Sequence, residues 1–169
     1  MLRLDSNSIQ YLPEDFGNLK SLQELSLIRN LLKSLPVSVG LMRKLRTLYL
    51  DDNLLTELPK EIGSCSALSI LSVAKNRLTT IPSEVGHLNN LKVLTVAGNL
   101  LVNLPVSIFN IRELDALWLS ESQSKPLLPL TKEVDPNTGQ HVLTCYLLPQ
   151  LPSQQMGKII SVIFYSVLE

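Results

Sequence analysis

Cysteine, histidine, aromatic residues and net charge are all scarce in this chain, and each scarcity excludes something. There are two cysteines and two histidines. His87 and His141 stand far apart in sequence, at no metal-ligand spacing, so a zinc site is not expected. Lys+Arg and Asp+Glu both total 15, which gives zero formal net charge and removes any global pull toward nucleic acid or anionic lipid. Aromatics make up 5% of residues, so the apolar content has to come from aliphatic side chains. No glycine-rich loop is followed by Lys-Ser or Lys-Thr, so no phosphate cradle is expected. The long apolar run, residues 159–168, is too short to span a bilayer as a helix. Cys145 and His141 share one face of an expected strand, yet they have no third group to orient them. The expectation is a protein that is not an enzyme and binds no cofactor and no metal.

What the chain does have is a beat. Asparagine recurs at Asn7, Asn30, Asn53, Asn76 and Asn99, each 23 positions after the last. Proline keeps the period at Pro13, Pro36, Pro59, Pro82 and Pro105, and glycine at Gly17, Gly40, Gly63 and Gly86. Leucines or valines precede each asparagine in an LxxLxL frame, as at Leu45, Leu48 and Leu50. An apolar residue follows two positions later, and another precedes each proline. This is the leucine-rich repeat signature, and self-similarity at this period predicts a solenoid.

Each part of the unit has a physical reason. The LxL step alternates in and out, so it reads as a short strand with one buried face. Stacked coils align these strands into a parallel sheet on a concave face, giving an α/β leucine-rich repeat solenoid. The asparagines are expected to turn inward as a ladder, each amide bonding backbone groups of adjacent coils. The Leu-Pro step resists helix and makes an extended corner. The periodic glycines read as turn residues. Phe16, Val39, Ile62, Val85 and Ile108 close the convex side, and Cys65 falls in the buried column of Met42 and Leu88.

The array is expected over residues 1–122. Leu2, Leu4 and Asn7 read as the end of a coil whose first part is missing, so the chain is expected to be N-terminally truncated. Position 122 holds Ser122 where the next asparagine is due, and Leu128 stands where proline is due. Residues 123–152 are expected to form a C-terminal cap. Its β-rich runs, 127–134 and 140–148, flank the turn string Asp135 to Gly139 and predict a hairpin over the last coil. Residues 153–169 read as a divergent tail. No signal peptide and no cysteine-rich cap are seen, so an intracellular setting is expected.

The outward strand residues are the candidate protein-binding surface. They are Glu24, Thr47, Ile70 and Val93 in one column, Ser26, Tyr49, Ser72, Thr95 and Trp118 in the next, and Ile28 and Asp51 in the third. Tyr49 and Trp118 are residue types that anchor interfaces. Tyr49, Asp51 and Asp52 are expected to be the free contact surface, and Trp118 is as readily placed under the cap. Arg43, Lys44 and Arg46 form a local basic cluster that reads as a solvated edge.

The frame is similar to the Ras-group leucine-rich repeats. The stretch LDALWLSESQSKPLLPL, followed by TGQHVLTCYLLPQLP, resembles the region just after the repeats in the LAP family of leucine-rich repeat and PDZ scaffolds. That resemblance implies a cytoplasmic scaffold at the basolateral membrane or cell junctions, acting in cell polarity. It implies protein partners such as Lgl, with small GTPases the alternative, no nucleic acid, and membrane association through partners. Within residues 1–169 no PDZ domain is expected, and the family's N-terminal cysteines are not expected among them.

Overall fold

Each LxL step puts its leucines on one side of the backbone. In the computed structural model, which describes residues 1–150, that side is the core. The expected tail, 153–169, lies outside the described residues. The strands are β1 (Leu2–Arg3), β2 (Glu24–Ser26), β3 (Thr47–Tyr49), β4 (Ile70–Ser72), β5 (Val93–Thr95), β6 (Leu104–Pro105) and β7 (Ala116–Trp118). All but β6 form a six-stranded sheet in chain order. Every pairing is parallel and offset by one repeat, so Glu24, Thr47, Ile70, Val93 and Ala116 stand in one row across it.

The convex side is built from five 3₁₀ turns, Phe16–Asn18, Val37–Leu41, Lys60–Ser64, Ser83–His87 and Val106–Asn110. Pro36, Pro59, Pro82 and Pro105 immediately precede the last four, with ψ between 141° and 148°. Proline lacks an N–H, so it fits where the backbone donates nothing. Its carbonyl then starts the turn, accepting from Val39 N at 3.1 Å in the Pro36 case.

The periodic glycines do not serve as turn residues at this phase. They let successive coils approach. A Cβ on Gly63 would lie 2.2 Å from the Glu84 carbonyl oxygen, and one on Gly40 would lie 2.7 Å from that of Glu61. In the fifth coil the same position holds Phe109, which is 60% exposed. Among the described residues, no further coil of the same kind packs over it.

The asparagines form the expected ladder. Asn53 is 5% exposed. Its Nδ2 donates to Leu27 O at 2.9 Å, Leu50 O at 3.0 Å and Asp51 O at 3.2 Å, and its Oδ1 accepts from Leu32 N at 3.0 Å. Asn30, Asn76 and Asn99 repeat this pattern one coil apart. Asn7 is exposed and bonds only Leu4 O and Asp5 O of its own coil. The residue before each asparagine is left-handed. Ser6, Arg29, Asp52 and Lys75 have φ between 53° and 56°, and Gly98 has φ 68°. Non-glycine residues pay about 1–2 kcal/mol for this, offset by the rung that the twist directs inward.

The sixth rung comes from an unexpected place. Ser122 occupies the asparagine position, and its amide role passes to Gln150 at the far end of the cap. Gln150 Oε1 accepts from Leu101 N at 3.1 Å, and its Nε2 donates to Val96 O at 3.0 Å and Leu119 O at 2.8 Å. These are three of the four groups that an asparagine at 122 would bond by the register of the other rungs. Gln123, 8% exposed, finishes the coil by bonding Leu119 N, Leu117 O and Lys125 O. Between these two glutamines lies a hairpin, β8 (Thr131–Val134) and β9 (His141–Thr144), shorter than the expected runs. Asn137 N donates to the Asp135 carboxylate in its turn, holding that carboxyl below its ordinary range. β9 does not merely lie over the last coil. It pairs antiparallel with β6, which buries Leu143 fully.

Replacing Gln150 with alanine is expected to cost about 1–3 kcal/mol, because three buried backbone groups lose their partner. The loss should appear first as faster amide exchange in β9 and at Leu101. Exchange unchanged at Leu101 would show that this rung holds nothing.

Candidate functional site

Strand alternation sends three side chains per coil outward onto the concave face. The structure sorts the candidate residues by what else they do. Ser26 is 4% exposed and Ser72 is 8% exposed, so neither is a free contact. Each donates to an aspartate of the preceding coil, Ser26 to Asp5 and Ser72 to Asp51. The same carboxylates accept from backbone, Asp5 from Ile28 N at 2.9 Å and Asp51 from Ala74 N at 2.8 Å. Asp51 was expected to offer its charge to a partner. Instead its inner oxygen stitches one coil to the next, because a carboxylate in the third column reaches the neighbouring strand's N–H. Asp52 lies just beyond the strand in a left-handed turn.

What remains open is a stripe of half-buried residues with little charge: Ile28, Thr47, Tyr49, Ile70, Val93, Thr95 and Trp118. Ile70 stands between Thr47 and Val93 in one row, and Thr95 between Ser72 and Trp118 in the next. Trp118 is half-buried, so the cap leaves part of it accessible. None of the polar groups of Tyr49, Thr47, Thr95 and Trp118 has a side-chain hydrogen bond among the described residues. Glu24 is exposed at the strand entry. Ala97 and Ala116 are buried, so the apolar surface narrows toward the last coil.

The rim beyond the strands carries an ion pair. Lys75 Nζ meets Glu121 Oε1 at 3.0 Å across two coils, passing over Gly98, the one glycine of that column. Glu121 holds the Lys75 ammonium above its ordinary range. Arg3 pairs with Asp5 at 3.4 Å at the other end of the sheet.

The cysteines and histidines of the described residues stand apart from one another. Cys65 is fully buried, and its Sγ donates to Val39 O at 3.2 Å. Burial pushes its thiol up to about 11, so it stays protonated and unreactive in the folded state. Cys145 is half-buried just past β9, with no hydrogen bond to His141 among the described residues. His87 is exposed. No group of three or more His, Cys, Asp or Glu that could hold a metal occurs among the described residues. No helix among them is long and apolar enough to cross a membrane.

Strand phase marks Tyr49 and Trp118 as outward from the sequence, and the structure leaves both half-buried on that face. The aspartate stitches and the glutamine rung were missed. Their signal is Asp followed by Ser 21 positions later, seen at Asp5–Ser26 and Asp51–Ser72, which becomes readable only once the register is known.

Comparison with known proteins agrees with the geometry. A family model described as a leucine-rich repeat region matches residues 1–73 and 45–147. The human leucine-rich repeat-containing protein 7 is 57% identical over 35 residues, 21% of this chain and 2% of that protein. The Protein Scribble homolog let-413 of Caenorhabditis elegans is 51% identical over 39 residues, 23% of this chain and 6% of that protein. The matches therefore span a small part of either relative's length. A solved leucine-rich repeat protein of Leptospira interrogans superposes with a TM-score of 0.68 at 38% identity, covering 70% of this chain and 30% of that one. The chain belongs to the leucine-rich repeat family.

Proposed function

We propose that this leucine-rich repeat chain is a non-catalytic scaffold of the LAP type, Scribble-like, and that it holds protein partners on its concave face. One observation carries the reading. The outward stripe of Tyr49, Ile70, Val93, Thr95 and Trp118 is only half-buried, and its side-chain polar groups are unspent among the described residues. An accessible apolar stripe with an aromatic at each end favours a protein partner over a small molecule. The LAP assignment rests on the post-repeat segment 114–152 and is supported by the partial match to the Scribble homolog. On that reading the protein acts in the cytoplasm at the basolateral membrane or cell junctions, in polarity, with Lgl-type partners. Retention of a nucleotide-loaded Ras-family GTPase on the same face is the second reading, drawn from the Ras-group repeat frame.

The double variant Tyr49→Ala, Ile70→Glu tests both. Asp51 is left alone, because changing it would disturb the stack. The variant should keep its thermal midpoint within a few degrees and lose at least about tenfold in partner affinity, as expected for an interface anchor. Binding is measured against purified Lgl and, separately, against loaded GTPase. Capture of both at wild-type strength would remove the concave face from the account.

A further inference from the structure

A strand at the edge of a sheet keeps one row of backbone groups without a partner. This chain closes most of its edges. On the outer side of β7, Leu117 N donates to Pro126 O at 2.7 Å. Gln123 and Gln150 take Leu117 O, Leu119 N and Leu119 O. β6 is two residues long and ends in a proline, which has no N–H to offer. β1 is also only two residues long, too short a row to hold a strand. β8 differs. It is the outer strand of the three-stranded sheet formed with β6 and β9, and all four of its residues are exposed.

The register of β8 decides which of its groups face outward. Asp135 N donates to Gln140 O at 2.9 Å, and Glu133 stands opposite Val142. Bonded pairs alternate with unbonded ones along an antiparallel ladder. Thr131, Glu133 and Asp135 therefore turn their backbones toward β9. Lys132 and Val134 turn theirs away from it, N–H and C=O alike. Among the described residues, no backbone hydrogen bond from outside the ladder reaches either one. Neither Lys132 nor Glu133 belongs to an ion pair among them.

We propose that β8 takes up an extended segment of a partner protein as a further antiparallel strand. The outward groups of Lys132 and Val134 supply the main-chain hydrogen bonds, and the side chains select the sequence. Directly opposed residues of such a pair share a face and interact. Read from its N-terminus, the segment is apolar opposite Val134, basic opposite Glu133, acidic opposite Lys132 and β-branched opposite Thr131. A lysine on an edge deters an uncharged strand, so the matching acid is a requirement. The same charges argue against two other occupants. Pairing β8 with its own copy must oppose residues that both face outward. Centred registers then set Lys132 against lysine or Glu133 against glutamate. Residues 159–168 of this chain carry no charged side chain, so they would take both charges out of water without pairing them. The concave stripe belongs to the six-stranded sheet, so this surface is separate from it.

Amide exchange of the full chain, followed by NMR, tests this with two synthetic peptides. Thr-Val-Arg-Glu-Val-Thr carries the matched order, and Thr-Val-Glu-Arg-Val-Thr the swapped one. The matched peptide is expected to slow exchange at Lys132 and Val134 at least about fivefold, with little change at Glu133, whose N–H already serves β9. It should bind at least about fivefold more tightly than the swapped peptide, because both opposed charge pairs turn from attraction to repulsion. Lys132→Glu, Glu133→Lys should reverse that preference at unchanged net charge. Val134→Pro should abolish binding of either peptide, since it removes an outward N–H and none that β9 uses. Circular dichroism melts check that each variant folds. The proposal is overturned if neither peptide slows exchange at Lys132 and Val134, or if the charge-reversed variant keeps the wild-type preference. It is also overturned if both amides are already protected in the free chain. Protection that survives dilution would assign the edge to residues 153–169, and protection lost on dilution to a second copy.

Discussion

Replacing Asn53 with alanine is expected to lower the unfolding free energy by about 3–5 kcal/mol, although the side chain loses only three heavy atoms. The amide serves two coils at once. It takes three carbonyls, Leu27 O, Leu50 O and Asp51 O, and gives one acceptor to Leu32 N. All four lie where the chain leaves a strand, so no sheet partner can replace it. With the side chain 5% exposed, water enters only if the coils part. Each stranded backbone group costs about 1–3 kcal/mol. Asn7→Ala supplies the internal control. That rung is exposed and bonds only its own coil, so the cost should stay below about 1 kcal/mol. Denaturant titration followed by far-ultraviolet circular dichroism measures both. Equal losses at the two positions would mean that the ladder carries no special stability. Because each coil contacts only its neighbours, the Asn53→Ala curve should also broaden as the array separates into two halves.

Gly63→Ala should be comparably severe for the opposite reason, since it adds atoms where none fit. The new methyl would lie 2.2 Å from Glu84 O and 2.8 Å from Glu84 C and Cβ. Two of these neighbours are backbone atoms, so no side chain can swing away and the two coils must separate. Overpacking a close contact costs about 1–3 kcal/mol where side chains can adjust, and here about 3 kcal/mol or more is expected. Gly139→Ala separates this effect from backbone strain. Gly139 has φ 67° and nothing within 4 Å of an added Cβ, so it should lose only about 1 kcal/mol. Thermal melts of the pair decide the matter: Gly63→Ala should melt far below Gly139→Ala. The reverse order would mean that the glycines do serve their turns and not the stacking distance.

Much of this was legible in the residues. The 23-residue beat announces the coil, the LxL phase announces which leucines go inward, and the asparagine column announces the ladder. Cys65 sits in the core because its column is otherwise Met42 and Leu88. The candidate site was legible in part. Tyr49, Ile70 and Val93 emerged as open outward residues, whereas Ser26, Ser72 and Asp51 proved to be spent on one another and on the neighbouring strand. A column list cannot show that, because it does not say which outward side chains the neighbouring coil satisfies.

The division follows from the range of the forces involved. Whatever repeats within 23 residues is written in the sequence, since alternation, proline corners and asparagine rungs are set by local backbone geometry and copied coil by coil. Whatever joins distant segments had to await the packed molecule. Gln150 reaches back to Leu101 and Val96, and β9 finds β6. Such contacts depend on where a backbone group is left without a partner, and that vacancy exists only in three dimensions.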